Sequence, residues 1–224
     1  MATSMEAKLD DIIAKAAGMT PLRRRRARET LRLVYPPVDG FIVKEFDIPA
    51  ECRRYRKPWL KEIAGLKRLG DDYDGAAAGV VERTEGGVRK VFLVRRFIDG
   101  AGIDAFSVAD MPAMAALLAD IHARGVVTDD ANIGNFIRTP SGGFAFIDFG
   151  RAIVFRRGHA SFIAVGRELA KLYREGFNFD KDLMEAFLAD YFAAAKASRA
   201  RRALIIAVCR ATLALRALRK GKGR

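Results

Sequence analysis

Several kinds of residue are scarce in this chain of 224 residues, and each scarcity excludes a class of protein. The two cysteines, Cys52 and Cys209, form no Cys-x-x-Cys pair, which argues against a disulfide scaffold and favours a reducing compartment. The chain has two histidines, which argues against a zinc site and against a Ser-His-Asp triad. No uncharged apolar run is long enough to span a membrane, because Arg210 and Arg216 interrupt the best candidate, residues 203–218.

Acidic residues are fewer than basic ones. The chain has 27 Asp and Glu and 40 Lys and Arg, which gives a formal net charge of +13. A surplus of this size predicts an anionic partner. The densest basic run, residues 23–28, is interpreted either as a solvated segment or as an anchor for phosphates or anionic headgroups. No nucleic-acid motif accompanies the basic runs, so no nucleic-acid partner is expected. Glu6, Asp10 and Asp11 argue against a signal peptide, and we expect a cytoplasmic protein.

Three polar side chains, Asp130, Asn135 and Asp148, flank two short apolar runs. The link between these runs, residues 138–143, is rich in turn-forming residues and predicts a β-hairpin. Asp130 and Asn135, five positions apart, would lie on one side of it, with Asp148 at the end of the returning strand. Oxygen ligands held on a tight hairpin suit hard cations and phosphate chemistry. The spacing matches kinase-type phosphoryl transfer, in which Asp130 accepts the hydroxyl proton and Asn135 and Asp148 hold Mg²⁺.

Two alternatives remain open for this segment. The base is either Asp129 or Asp130, and the spacing to Asn135 favours Asp130. Asp129, Asp130 and Asn132 are also residue types that form surface turns without any catalytic role. The joint spacing of Asp, Asn and Asp-Phe-Gly, rather than any one residue, favours the catalytic interpretation.

An alternating apolar run at 41–46 predicts a strand that carries Lys44. Its pattern matches the kinase strand whose lysine contacts the α and β phosphates of ATP. The segment 58–69 predicts a helix, since it begins with proline, carries an apolar stripe and is followed by glycine. Glu62 is the only carboxylate of that helix and is therefore the predicted partner of Lys44. The alternatives are an exposed strand lysine and a surface glutamate that pairs with a neighbouring base.

The chain changes from strand-like to helical character near residue 97. Residues 1–28 predict an amphipathic helix and a basic segment, 29–96 a small β-rich lobe, and 97–224 a mostly helical lobe that ends in a basic helix and tail. The predicted fold class is α+β, with two lobes as in protein kinases. The basic closing helix is interpreted either as a charged outer face or as a peripheral contact with an anionic membrane.

Four motifs resemble the lipopolysaccharide core kinases, which are small bacterial sugar kinases with a reduced protein-kinase-like fold. They are Gly-Phe-Ile-Val-Lys (40–44), Ile-His-Ala-Arg-Gly (121–125), the segment 130–137 with its Gly-Asn-Phe-Ile, and Ile-Asp-Phe-Gly (147–150). The likeness covers roughly residues 30–175, and it is greatest to the core heptose kinases.

The resemblance implies an enzyme that transfers the γ-phosphate of ATP, with Mg²⁺, to a heptose or Kdo hydroxyl of the lipopolysaccharide inner core. It places this reaction at the cytoplasmic face of the inner membrane. By motif position it assigns Lys44 and Glu62 to the nucleotide, Asp130 to base catalysis, and Asn135 and Asp148 to the metal. A basic surface would suit an anionic glycolipid acceptor and a peripheral membrane contact.

The chain departs from the kinase pattern in three places. No Gly-x-Gly-x-x-Gly precedes Lys44, Thr128-Asp129 replaces the His-Arg before the catalytic aspartate, and no lysine follows Asp130 in the loop. The second departure argues against activation-loop phosphorylation and weakens the case for a protein substrate. The alternatives are a kinase for another small molecule, such as an aminoglycoside or a different sugar, an atypical protein kinase, and a pseudokinase that binds an anionic surface without catalysis.

Overall fold

The computed structural model describes residues 2–27, 30–49, 52, 57–156 and 158–221. The chain divides into two compact units, the first made of Met1–Trp59 and Gly70–Ile98 and the second of Leu60–Leu69 and Asp99–Arg224. Antiparallel sheets and helices both contribute to it, so the fold class is α+β, as predicted. In the ranges given above, no helix is both long enough and apolar enough to cross a membrane.

Strands occur in consecutive groups between the helices, and the last part of the chain is helical. The α-helices are α1 (Ala2–Ala17), α2 (Pro58–Leu69), α3 (Met111–Ala123), α4 (Phe162–Lys171), α5 (Lys181–Ala194) and α6 (Arg199–Gly221). The strands are β1 (Arg23–Ala27), β2 (Thr30–Val34), β3 (Phe41–Pro49), β4 (Ala77–Glu85), β5 (Val88–Arg96), β6 (Ala101–Gly102), β7 (Val126–Val127), β8 (Phe136–Arg138), β9 (Phe144–Phe146) and β10 (Ile153–Val154). Short 3-10 helices cover Val108–Asp110 and Ile133–Asn135, and a π-helical turn, Leu172–Gly176, continues α4.

The first unit is built on a five-stranded antiparallel sheet with the order β1-β2-β3-β5-β4. The predicted strand at 41–46 is confirmed as part of β3, which continues to Pro49, and the predicted helix at 58–69 is confirmed as α2. The turn between β4 and β5 uses Gly86 and Gly87 at φ +56° and +78°. These left-handed conformations suit glycine, which has no Cβ to clash with the backbone.

Helix α1 packs on one face of this sheet. Its residues Leu9, Ile12, Ile13 and Ala16 are buried and recur at the spacing of one helical face. They form a core with sheet residues that include Val43. Each large apolar side chain buried in this way contributes about 1.5–3 kcal/mol. The helix in the predicted segment 1–28 is therefore an integral part of the first unit.

The basic run adds a strand to the edge of the sheet. The four arginines at 23–26 are exposed residues of β1, and Arg25 lies opposite Arg32 of β2. The exposed side chains agree with the interpretation of a solvated segment, whereas the strand, whose backbone pairs with β2, was not predicted. Arg28 of the predicted basic segment lies outside the described residues.

The second unit combines helices with short strands around aromatic side chains. Phe136, Phe146 and Phe149 are fully buried, and the ring centroids of successive members lie 5.2 Å apart. Helices α4 and α6 approach closely at Gly166, where an added Cβ would lie 2.7 Å from the Cβ of Val208. The end of the predicted basic tail, residues 222–224, lies outside the described residues.

The two compact units divide the chain differently from the predicted ranges 1–28, 29–96 and 97–224. Most of α2 groups with the second unit, whereas the predicted division placed it among the strands of 29–96. Helix α1 groups with the first unit, because the sheet supplies the apolar surface against which its stripe is buried. The description of the two units as kinase lobes stays a prediction.

Candidate functional site

The predicted hairpin is confirmed as β8 and β9, which pair Phe136 with Phe146. Its turn is closed by the N–H of Thr139, which donates to the carbonyl of Gly143 at 3.0 Å. At the open end, the N–H of Ile147 donates to the carbonyl of Asn135 at 3.0 Å. This pairing places Asn135 opposite Ile147, the residue that precedes Asp148.

Asn135 and Asp148 are both anchored by short-range hydrogen bonds. Asn135 Nδ2 donates to the Asp130 carbonyl at 2.8 Å, so the amide oxygen is the side-chain atom left to coordinate. Asp148 Oδ1 accepts the N–H of Gly150 at 3.1 Å. An amide oxygen and a carboxylate are ligands that Mg²⁺ accepts, and the ion completes its shell with water and phosphate oxygens. The donor set therefore fits the predicted ion.

Clusters of three or more His, Cys, Asp or Glu that could bind a metal do not occur among the described residues. A magnesium site at the hairpin would therefore depend on Asn135 and on oxygens from the phosphates, in addition to Asp148. This is how nucleotide-dependent enzymes hold the ion, with one or two carboxylates and the substrate phosphates.

The loop between β7 and the hairpin carries the two candidate bases. Asp129 has φ +50°, a left-handed conformation that costs a residue with a Cβ about 1–2 kcal/mol. Two side chains of helix α4 bind the backbone N–H and carbonyl of this residue. Glu168 Oε1 accepts the Asp129 N–H at 2.9 Å, and Lys171 Nζ donates to the Asp129 carbonyl at 3.1 Å. The backbone is thus fixed where the chain turns into Asp130.

The side chains of Asp129 and Asp130 lie in different surroundings. The Asp129 carboxyl is 44% exposed and 3.6 Å from Arg151 Nη2. The Asp130 carboxyl is 23% exposed, contacts Lys171 Nζ, and lies 3.9 Å from Arg151 Nη1. Lys171 itself is buried. Asp130 is therefore the less exposed of the two carboxylates and the one that contacts a buried cation.

A buried polar network, which the sequence did not predict, supports the loop from behind. Glu168 Oε1 also accepts a hydrogen bond from the Thr128 hydroxyl, and Oε2 lies 2.5 Å from His122 Nε2. A carboxylate can only accept, so Nε2 donates to it, and in the neutral ring Nδ1 accepts from the Tyr191 hydroxyl at 2.8 Å. Burial, followed by the charge of Glu168, raises the pKa of Tyr191.

Position along α4 was the signal that could have revealed Glu168. Val165, Leu169 and Leu172 are buried and recur as one apolar stripe, and Glu168 lies within that stripe. A charged residue in an apolar stripe needs a partner in the core. Sequence alone did not say that the partners would be Thr128, the Asp129 backbone and a histidine. His122 lies in the core.

In the first unit, Lys44 lies on the face of β3 that also carries Phe46 and Ile48, since strand residues two apart share a face. Phe46 packs against Trp59 with ring centroids 5.3 Å apart. Lys44 is 3% exposed, which is contrary to the alternative of an exposed strand lysine.

The opposite face of β3 carries two neighbouring carboxylates. Glu45 is buried, accepts a hydrogen bond from the Tyr35 hydroxyl and lies 3.4 Å from Lys90 Nζ. Burial, with the hydrogen bond to Glu45 and its charge, raises the pKa of Asp47 to about 6. Burial and the hydrogen bond to Glu45 also raise the pKa of Tyr35. Asp47 therefore keeps its proton to a higher pH than an ordinary aspartate does.

Glu62 is buried at 1% exposure on α2, in the part of that helix that belongs to the second unit. Its burial is contrary to the alternative of a surface glutamate. The predicted pairing of Glu62 with Lys44 stays a prediction, because the two residues belong to different units.

Comparison with known proteins identifies a fold and no family. No family model matches the chain, and no curated protein matches its sequence. Among solved structures that match is WbdD in complex with the kinase inhibitor LY294002, with 15% sequence identity and a TM-score of 0.52. The match covers 87% of this chain and 45% of the WbdD chain, so the protein spans less than half of the chain it matches. The similarity shows a distant kinase-related fold alone.

Proposed function

We propose that the protein is an ATP- and Mg²⁺-dependent kinase that transfers the γ-phosphate to a hydroxyl group. The observation that carries the proposal is the arrangement of Asp130, Asn135 and Asp148 around one hairpin, with the Asn135 amide hydrogen-bonded to the Asp130 carbonyl at 2.8 Å. Kinase-type transfer needs these groups near one another. The kinase inhibitor bound by the distant structural neighbour WbdD supports a nucleotide-like ligand. In this proposal the two compact units are the lobes of a kinase fold.

Asp130 is the proposed base. It accepts the proton of the acceptor hydroxyl as the oxygen attacks the γ-phosphorus and the bond to the leaving ADP breaks. Its partial burial and its contact with Lys171 favour it over Asp129, whose carboxyl is directed toward the exposed Arg151. Most of the rate would come from positioning of the reactants and from electrostatic stabilisation of the transferred group.

Two further pairs of residues have proposed roles. Asn135 and Asp148 would hold Mg²⁺, which neutralises charge on the phosphate oxygens. Lys44 would contact the α and β phosphates, and its burial supports a role beyond solubility. Glu62 would orient that lysine. The turn that precedes Lys44 would have to cover the phosphates, since the chain has no glycine-rich loop there.

The proposed acceptor is a sugar hydroxyl, heptose or Kdo, of the lipopolysaccharide inner core. Two features support an anionic glycolipid. The net charge is +13, and α6 exposes Leu204, Leu215 and Leu218 on a helix rich in arginine. Such a helix suits a peripheral contact with an anionic membrane, and we propose that the protein acts at the cytoplasmic face of the inner membrane.

Turnover of ATP with Mg²⁺, measured with and without purified inner-core lipopolysaccharide, tests the proposal. We expect acceptor-stimulated turnover in the wild type and none in Asp148→Ala, because the proposed metal carboxylate is lost. Asp182→Ala, which changes an exposed carboxylate in the first turn of α5, is the matched control and should retain activity. Full activity of Asp148→Ala would exclude the assignment. Binding of ATP without phosphorylation of any acceptor would favour a pseudokinase.

A further inference from the structure

The catalytic loop lacks a lysine after Asp130, yet a lysine from a distant part of the chain reaches the same carboxylate. Lys171, at the end of α4, contacts Asp130 Oδ1 through Nζ and donates to the Asp129 carbonyl at 3.1 Å. Its side chain is 9% exposed. The sequence separation from Asp130 is 41 residues, so no local motif reveals the pair.

The placement of Lys171 is built into the helix. Glu168 and Lys171 are three residues apart on α4 and therefore lie on neighbouring positions of one helical face. The Glu168 carboxylate accepts a hydrogen bond from the N–H of Asp129, and the Lys171 ammonium group donates one to the carbonyl of Asp129. The same face that fixes the backbone of the loop thus delivers a cation to the carboxylate of the following residue.

Other charged groups around this pair are more distant or more exposed. Glu175 Oε2 lies 3.6 Å from Lys171 Nζ, and Arg151 Nη1 lies 3.9 Å from Asp130 Oδ1 on a side chain that is 56% exposed. A buried ammonium group requires a paired charge. If Lys171 served the loop backbone alone, a neutral donor to the Asp129 carbonyl would be sufficient. Its contact with the carboxylate points to a role for the charge.

We propose that Lys171 is a catalytic cation of the phosphoryl-transfer step and takes the place of the absent loop lysine. The inference rests on the proposed function. In the step, the acceptor oxygen forms a bond to the γ-phosphorus, the bond to ADP breaks with its electron pair on ADP, and the hydroxyl proton passes to Asp130. Proton transfer neutralises the carboxylate, so Lys171 loses its nearest counter-charge, while Glu175 Oε2 stays 3.6 Å from Nζ. The freed positive charge then stabilises the charge on the transferred group.

In this mechanism the charge of Lys171 stabilises the transition state more than it stabilises the ground state. Before transfer, the charge of Lys171 is balanced by the ionised Asp130. During transfer, that balance is reduced as negative charge spreads over the phosphoryl oxygens. An interaction that strengthens only in the transition state raises kcat rather than lowering KM. Lys171 therefore differs from a residue that only holds the loop in place.

Three variants test the inference. Lys171→Met removes the charge and keeps an unbranched side chain, and Lys171→Arg keeps the charge. Lys181→Met is the matched control, because Lys181 is an exposed lysine that pairs with Glu185 on the surface of the same unit. We expect Lys171→Met to lower kcat by about 10²–10³-fold, the effect of removing one stabilising donor, with KM for ATP little changed. Lys171→Arg should recover most of that loss.

A binding measurement separates this inference from the proposed function. MgADP affinity is measured for the wild type and Lys171→Met by calorimetry, with and without fluoroaluminate, which stands in for the transferred phosphoryl group. We expect both proteins to bind MgADP equally. Fluoroaluminate should tighten binding in the wild type and have much less effect in Lys171→Met.

Two results would overturn the inference, and they are distinguishable. If Lys171→Met keeps the fluoroaluminate effect and its kcat, Lys171 is structural and the kinase assignment stands. If the wild type binds no MgADP, the proposed function fails and the role of Lys171 fails with it. If Lys171→Met does not fold, Lys171→Arg and Lys171→Gln decide, since a catalytic charge predicts that kcat is retained in the arginine variant and lost in the glutamine variant.

Discussion

Removal of Glu168 should destabilise the second unit more than removal of any exposed carboxylate. In Glu168→Ala, the Thr128 hydroxyl, the Asp129 N–H and His122 Nε2 all lose their acceptor in a buried site. A buried donor left without a partner costs about 1–3 kcal/mol. The three costs do not add fully, because water can enter the space left by the side chain. We therefore expect a loss of about 3–5 kcal/mol in the free energy of unfolding, as for other broken buried pairs.

Glu168→Gln should be much milder, because the network can rearrange around an amide. The remaining oxygen of the glutamine can accept from the loop, and its NH₂ group can donate to His122 Nε2 if the ring proton moves to Nδ1. That nitrogen then donates to the Tyr191 hydroxyl, which lies 2.8 Å away. The expected loss is the difference between a charged and a neutral acceptor, about 1–2 kcal/mol.

Urea unfolding followed by circular dichroism measures both effects. With a slope of about 2–3 kcal/mol per M, the alanine variant should unfold about 1–2 M earlier than the wild type. Glu185→Ala, which removes a carboxylate that is 65% exposed, is the control and should change the free energy of unfolding by less than about 0.5 kcal/mol. If Glu168→Ala and Glu185→Ala unfold at the same urea concentration, the network does not stabilise the loop as inferred.

Two further predictions concern the first unit. The raised pKa of Asp47, about 6, means that its contribution to stability is present below its unfolded pKa of about 4 and is lost as pH rises through about 6. Asp47→Asn should therefore melt at a higher temperature than the wild type near pH 8, and the difference should vanish near pH 4. A difference that is independent of pH would refute the raised pKa of Asp47. Replacing the arginines at 23–26 of β1 by glutamine should weaken binding to phosphatidylglycerol vesicles by about 10²-fold or more at low salt, since each basic residue contributes about 1 kcal/mol. Phosphatidylcholine vesicles are the control, and equal binding of both proteins to the anionic vesicles would show that the strand does not face a membrane.

Local features of the chain could be predicted from the sequence because they depend on neighbouring residues. The hairpin followed from turn residues between two apolar runs, and α2 followed from a proline, an apolar stripe and a glycine. The spacing of Asp130, Asn135 and Asp148 was sufficient to predict that they would flank that hairpin. The sequence did not predict that the arginine run would form the edge strand of a sheet, because a run of one polar residue type lacks the alternation of apolar and polar residues that indicates a strand.

The tertiary structure alone decided which groups surround the two candidate bases. Glu168 and Lys171 act on residues 39 and 41 positions away, respectively, and nothing in the loop sequence indicates either of them. Their roles arise because α4 packs with one face toward the loop, which brings a carboxylate to the Asp129 N–H and an ammonium group to the Asp130 carboxylate. Spacing along a chain encodes turns and helices, whereas a contact between distant segments exists only once their apolar faces have packed together.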